Sequence, residues 1–131
     1  WTTQLQWARY HYGVPGATIA LSAFQAPFQI ARKADVPSVN VAYSFGEQRW
    51  LDDITCYNNL SMTRPLQRQP GMRDSWQNVT GCSLGRGMML TYIDWIAGKN
   101  MWFAGGDGIG LDPQGPSRWH SRLNLNIGFY F

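Results

Sequence analysis

The sequence carries little charge. Only 15% of its 131 residues are Asp, Glu, Lys or Arg, against roughly 25% in ordinary soluble domains. The net charge is +3, and Arg32-Lys33 is the one adjacent basic pair. That scatter excludes the basic stripe of a nucleic-acid binder, so no nucleic-acid partner is expected. No stretch approaches the roughly 18 apolar residues that a spanning helix needs, which excludes a helical membrane protein. Cysteine is scarce: Cys56 and Cys82 make neither a disulfide framework nor a zinc site. There is no signal peptide, and the sequence starts at Trp1 instead of Met. The expectation is that an N-terminal part is missing.

What is present is aromatic and rich in glycine. The chain has seven Trp and 14 Gly, and 44% of it is hydrophobic. So many aromatics with so few charges exclude disorder, and the length fits one domain at most. Transmembrane β-barrels have this profile, because half of each strand faces lipid and half faces water.

The last ten residues are the most informative. Leu123, Leu125, Ile127, Phe129 and Phe131 alternate with Arg122, Asn124, Asn126, Gly128 and Tyr130. A period of two puts the first set on one face of a strand and the second on the other. In a soluble protein, a wholly hydrophobic face on a terminal strand invites aggregation. In a membrane barrel the same face meets lipid.

Backwards from this strand, breaker residues divide the chain into segments. Strands are expected at 2–12, 17–28, 38–45, 53–63, 75–84, 88–99 and 122–131. Long connections at 29–37, 64–74 and 100–120 would fall on one side, and short turns at 13–16, 46–52 and 85–87 on the other. Outer-membrane barrels segregate loop lengths in this way, and tilted strands of about ten residues cross roughly 25 Å of apolar thickness.

The faces agree with that division. Ile54, Cys56, Leu60 and Met62 would face lipid, with Asn58 as an exception, and Asp53, Thr55, Tyr57, Asn59 and Ser61 would face the interior. Val39, Val41, Tyr43 and Phe45 alternate with Asn40, Ala42 and Ser44, while Met89, Ile93 and Trp95 oppose Leu90, Tyr92 and Asp94. The strand from Ala17 is ambiguous, since both phases carry apolar residues. An interior of Asn, Ser, Thr, Tyr and Asp is wet, which favours a lumen over a soluble antiparallel barrel with an apolar cavity. Aromatics should gather at two rims. Phe24, Phe28, Trp76, Trp102, Phe103 and Trp119 fall near the rim of the long connections. Tyr10, Tyr12, Tyr43, Phe45, Trp50, Phe129, Tyr130 and Phe131 fall near the other, with Trp7, Tyr57, Tyr92 and Trp95 between.

Seven strands would leave one edge unsatisfied, which lipid does not tolerate. The expected fold is therefore all-β: an antiparallel transmembrane barrel of which residues 1–131 supply about seven C-terminal strands. The pore-lining candidates are Tyr57, Asn59, Tyr92, Asp94, Arg122, Asn124 and Asn126. Asp94 and Arg122, inward-facing on neighbouring strands, either set a transverse field that orients polar solutes or tie the wall together. Cys56 and Cys82 flank a loop centred near residue 69 and could face each other across adjacent strands in an oxidising periplasm. Cross-strand geometry is strained, however, and both positions suit small lipid-facing hydrophobes, so free thiols are expected.

Other signals are weak. The sequons at Asn59 and Asn78 sit in expected strands. Asp107-Gly108-Ile109-Gly110-Leu111-Asp112 lacks the ligand spacing of a calcium loop, so no metal or cofactor is expected. His120 and Ser121 are neighbours and would point to opposite faces, and His11 is remote, so no acyl-transfer constellation is visible and no enzyme is expected.

The alternating tail ending on Phe131 resembles the C-terminal assembly signal of bacterial outer-membrane proteins. The resemblance implies that Leu123, Leu125, Ile127, Phe129 and Phe131 are read by the outer-membrane assembly machinery. Further segments resemble the C-terminal part of the phosphate-selective (O/P-type) porin-like family. They are Trp50-Leu51-Asp52-Asp53-Ile54-Thr55 with Tyr57-Asn58; Trp76-Gln77-Asn78-Val79-Thr80-Gly81; Tyr92-Ile93-Asp94 with Gly98-Lys99-Asn100; and 122–128. This resemblance implies a homotrimeric porin of the outer membrane, sixteen-stranded in characterised members, that passes small hydrophilic solutes or ions by passive diffusion. The chain would be its last third, with too few strand arginines to carry over phosphate selectivity. The alternative is a small non-porin outer-membrane barrel, adhesive, structural or lipid-modifying.

Overall fold

The computed structural model describes residues 1–23, 26–101 and 117–131. Within them the regular structure is strand alone: β1 Thr2–His11, β2 Thr18–Ala23, β3 Ala26–Ala31, β4 Lys33–Gln48, β5 Leu51–Pro65, β6 Ser75–Arg86, β7 Met89–Lys99 and β8 Trp119–Phe129. The all-β, antiparallel expectation therefore stands. Six strands form one sheet in the order β1-β4-β5-β6-β7-β8, and β2 pairs with β3 in a separate two-stranded sheet. Every pairing is antiparallel. No helix among the described residues is long and apolar enough to cross a membrane; this leaves crossing by strands untouched.

The connections sort by length. β4 joins β5 through Arg49-Trp50, and β6 joins β7 through Gly87-Met88. Gly87 takes a φ of 55°, the left-handed conformation that a two-residue hairpin turn favours. At the opposite end lie the connection 66–74, the facing ends of β7 and β8, and those of β1 and β4.

Four expectations need correction. The stretch 17–28 is not one wall strand: it divides between the two arms of a hairpin, paired from Thr18↔Ala31 to Ala23↔Ala26. Both phases are apolar there because neither arm belongs to the six-stranded wall. The stretch 29–37 is not a loop. It holds the end of β3 and the start of β4, which pairs with β1 from Thr2↔Ala42 to His11↔Lys33. Pro37 suggested a loop, but β4 accommodates it by omission: the ladder to β5 steps from Asp35↔Arg64 to Ser38↔Ser61, since proline has no N–H to donate. The turn 13–16 consequently lies at the long-connection end, and β1 runs opposite to the expected direction. Tyr10 and Tyr12 move to that end with it, while Trp1 packs on Tyr43 at the other, ring centroids 4.7 Å apart. Finally, the wall has six strands instead of seven. Its edges are β1 and β8, which do not pair with each other.

Burial is inverted relative to a water-soluble sheet. The buried hydrophobic side chains among the described residues are Ala31, Ala34 and Ile96. Ala31 and Ala34 pack against Tyr10 where the hairpin leaves the wall. Large apolar side chains stand outside: Leu5 is 78% exposed, Trp95 56% and Leu123 75%. Along β7 the alternation is plain. Asp94, Ile96 and Gly98 are buried, while Ile93 and Trp95 are exposed. Asp94 is buried by its neighbours on the polar face, with Tyr57 and Asn124 bonded to its two oxygens and Gly81 beneath it.

Candidate functional site

Direct cross-strand partners share a face, so the register assigns every wall residue. One row reads Tyr43, Cys56, Cys82, Ile93, Leu125. Another reads Leu5, Val39, Leu60, Asn78, Ala97, Ser121. These belong to the outer, largely apolar face. The alternate rows are polar: Gln4, Asn40, Asn59, Val79, Ile96, Arg122, and then Thr2, Ala42, Tyr57, Gly81, Asp94, Asn124. A third polar row carries Ser44, Thr55, Ser83, Tyr92 and Asn126.

All seven proposed lining residues thus fall on one polar face of the sheet. The register joins Tyr92 to Asn126 and Asp94 to Asn124 directly. Asn59 accepts a hydrogen bond from the Asn40 amide. Beside this pair lies a cleft of about 310 Å³ whose lining includes Gln4, Gln6, Ser38 and Ser61. Arg122 stands opposite Ile96, one pleat from Asp94 on the same face. The two are diagonal neighbours, at roughly 7–8 Å in such a ladder.

The densest part of the wall centres on Asp94. Tyr57 Oη donates to Asp94 Oδ1 at 2.6 Å, and Asn124 Nδ2 donates to Asp94 Oδ2 at 3.2 Å. Tyr57 is on β5 and Asp94 on β7, so the bond crosses β6. Gly81 makes the crossing possible. A Cβ there would collide with Asp94 Oδ1 and come 2.7 Å from the Ile93 carbonyl oxygen. One carboxylate thereby joins three strands, β5, β7 and β8, across a fourth. The sequence marked Tyr57, Asp94 and Asn124 by phase but gave no sign that Gly81 is the seat of the contact. Of the glycines inside the wall strands, Gly81, Gly85, Gly98 and Gly128 lie on the polar side, while Gly46 sits at a register shift opposite Ile54. That placement is a signal the strand pattern contained.

The outer face holds two features of its own. Cys56 and Cys82 are direct partners with Cα atoms 4.0 Å apart, and they form a disulfide. The expectation of free thiols is corrected. The reason is register: β5 and β6 place the two Cβ atoms opposite each other at a close, narrow pair. Asn58, the exception in an apolar row, is not isolated. It donates to Asn78 Oδ1 at 3.2 Å and to Thr80 Oγ1 at 2.6 Å, and Asn78 donates back at 3.1 Å. This closed set meets its own hydrogen-bonding needs, which lowers the cost of polar atoms on an apolar face.

The terminal alternation keeps its phase. Leu123, Leu125, Ile127 and Phe129 are exposed on the outer face of β8, and Phe131 follows the strand, also exposed. The Tyr130 amide donates to the Met88 carbonyl at 2.8 Å, fixing this end beside a short turn. Aromatics crowd that rim: Tyr43 and Phe45 meet edge to face at 4.7 Å, and the Arg49 guanidinium lies 5.2 Å from the Trp50 ring. At the other rim, Trp76 and Trp119 flank Lys99 on the outer face. Trp7, which was expected between the rims, also belongs to this end. Phe24, Trp102 and Phe103 and the segment 107–112 lie outside the described residues.

His120 opposes Gly98 on the inner face, and Ser121 opposes Ala97 on the outer face, so they are separated by the sheet. Among the described residues no three His, Cys, Asp or Glu side chains converge to hold a metal. No family model matches the chain, and neither a curated protein nor a solved structure is significantly similar to it.

Proposed function

We propose that this chain is a C-terminal wall segment of an outer-membrane porin of the phosphate-selective (O/P-type) porin-like kind. It borders a water-filled channel for passive diffusion of small hydrophilic solutes or ions and does no catalysis. One observation carries the reading: the sheet exposes large apolar side chains on one face and carries a hydrogen-bonded polar network on the other. Water rewards the opposite arrangement. A bilayer rewards this one, provided that every backbone group is paired, which only a closed barrel achieves. In this reading the edges of β1 and β8, which are unpaired among the described residues, meet further strands of a closed wall.

Loop lengths agree with the orientation: short turns inside, long connections outside. In this reading the outer-membrane assembly machinery recognises Leu123, Leu125, Ile127, Phe129 and Phe131. The barrel associates as a homotrimer, and Tyr57, Asn59, Tyr92, Asp94, Arg122, Asn124 and Asn126 touch the permeating solution.

The test is planar-bilayer conductance of the protein purified from membranes in detergent. Stepwise, voltage-independent increments are expected. Asp94→Asn with Arg122→Gln is expected to change the ratio of cation to anion permeability. A protein that stays folded and monomeric in buffer without detergent would end the proposal.

A further inference from the structure

The outer face changes character abruptly at the long-connection end, and it does so strand by strand. On β1, Leu5 and Trp7 are followed by Arg9. On β4, Val39 and Pro37 give way to Asp35 and Lys33. On β5, Leu60 and Met62 lead to Arg64, and on β7, Trp95 and Ala97 lead to Lys99. Four of the six wall strands therefore carry a cation beyond an apolar run on this face. Of the 11 Lys and Arg residues, all but Arg49, Arg86 and Arg122 stand at or beyond this end.

The acids that the described residues place at this end are already engaged. Asp35 receives Arg9 at 2.6 Å and has Arg64 opposite it on the next strand, and Asp74 receives Arg68. Arg64 is exposed, and Lys33 and Lys99 are half-buried. Lys99 lies between Trp76 and Trp119, where amphipathic rings mark the level of lipid headgroups. The opposite ends of the strands carry Glu47, Arg49, Asp52, Asp53 and Arg86, with no such excess of one sign.

We propose that Lys33, Arg64 and Lys99 form a binding surface for the phosphate groups of anionic lipid in the leaflet at the long-connection end. This inference rests on the membrane reading above and adds a chemical preference to it. Acyl chains cover the apolar runs, and the phosphates meet the cations one step beyond, where long basic side chains can reach the headgroup layer. A free anion would gain only the charges. A phosphate-bearing lipid gains the charges and the adjoining apolar surface together, so lipid is the ligand assigned.

The test is native mass spectrometry of the detergent-solubilised protein, titrated with bisphosphorylated lipid A, dephosphorylated lipid A, phosphatidylcholine or inorganic phosphate. Preferential retention of the bisphosphorylated lipid is expected. Neutralisation in Lys33→Gln/Arg64→Gln/Lys99→Gln is expected to weaken it by about a hundredfold, roughly fivefold per charge at a membrane surface. The charge-conserving Lys33→Arg/Arg64→Lys/Lys99→Arg and the distant Arg49→Gln/Arg86→Gln are expected to bind as the unaltered protein does. Equal retention with and without the phosphates overturns the inference and leaves the membrane reading standing. So does undiminished binding by the neutralised protein, or binding of inorganic phosphate with the same sensitivity. Failure to retain any lipid, phosphatidylcholine included, overturns both.

Discussion

The Tyr57 hydroxyl reaches the Asp94 carboxylate at 2.6 Å from two strands away. It does so only because Gly81 puts no side chain beneath it. The smallest residue on β6 thus sets a contact between β5 and β7, and the carboxylate is held on its other oxygen by Asn124 of β8.

Two substitutions separate the parts of that contact. Gly81→Val places carbon against both the Asp94 carboxylate and the Ile93 carbonyl, so overpacking of about 1–3 kcal/mol is expected. Tyr57→Phe leaves the shape intact and removes one hydrogen bond to a charged group, a loss of about 1.5–3 kcal/mol. Urea unfolding in detergent, followed by tryptophan fluorescence, measures both. A Tyr57→Phe midpoint equal to that of the unaltered protein would show that the bond adds nothing.

The two faces are expected to respond oppositely to charge. Leu125→Arg puts a cation near the middle of the outer face, where the expected cost in a bilayer is about 2–4 kcal/mol. Asn124→Arg, one residue away on the inner face, is expected to cost far less and to shift conductance instead. Folding yield into phosphatidylcholine vesicles, read by heat-modifiable gel mobility, distinguishes the two. Equal yields would remove the assignment of faces.

The Cys56–Cys82 disulfide closes a loop with a sequence separation of 26. A loop of that length is expected to add roughly 3–4 kcal/mol of stability. Alkylation of the unfolded protein should modify both thiols only after a reductant is added. Cys56→Ala/Cys82→Ala should unfold at lower urea. Alkylation without reductant would mean that the thiols are free in the cell.

The Arg9–Asp35 pair lies beyond the apolar part of the outer face. Its hydrogen bond to Arg9 holds the Asp35 carboxyl below the usual carboxylate range. A depressed folded-state value means that the contribution is complete above the unfolded value of about 3.9 and disappears as pH falls through the depressed one. Asp35→Asn should therefore destabilise the protein at neutral pH and flatten the acid limb of its stability profile. Parallel unfolding curves at pH 7 and pH 3 measure this. An acid limb as steep as before would assign the acid sensitivity elsewhere.

Much of this wall was legible because a period of two is the simplest pattern that a strand can carry. Asp53 to Thr63 and the last strand had one apolar and one polar phase, and their register followed. The stretch from Ala17 to Ala31 was not legible. Apart from Pro27 it contains no breaker, and no Gly, Asn or Asp marks its reversal. The start of β4 was obscured for the opposite reason: Lys33, Asp35 and Pro37 look like a loop until Arg9 is seen to pair with Asp35 from the next strand. The candidate site was readable by phase alone. The part played by Gly81 depends on a distance across three strands, which no local pattern encodes.

Every seam of the wall but one joins strands that follow each other along the chain. β1 meets β4 only after β2 and β3 have been set aside, so that seam closes over the longest intervening segment and bears the greatest loop entropy. A break in the backbone anywhere between His11 and Lys33 would therefore leave the meander from β4 to β8 covalently whole.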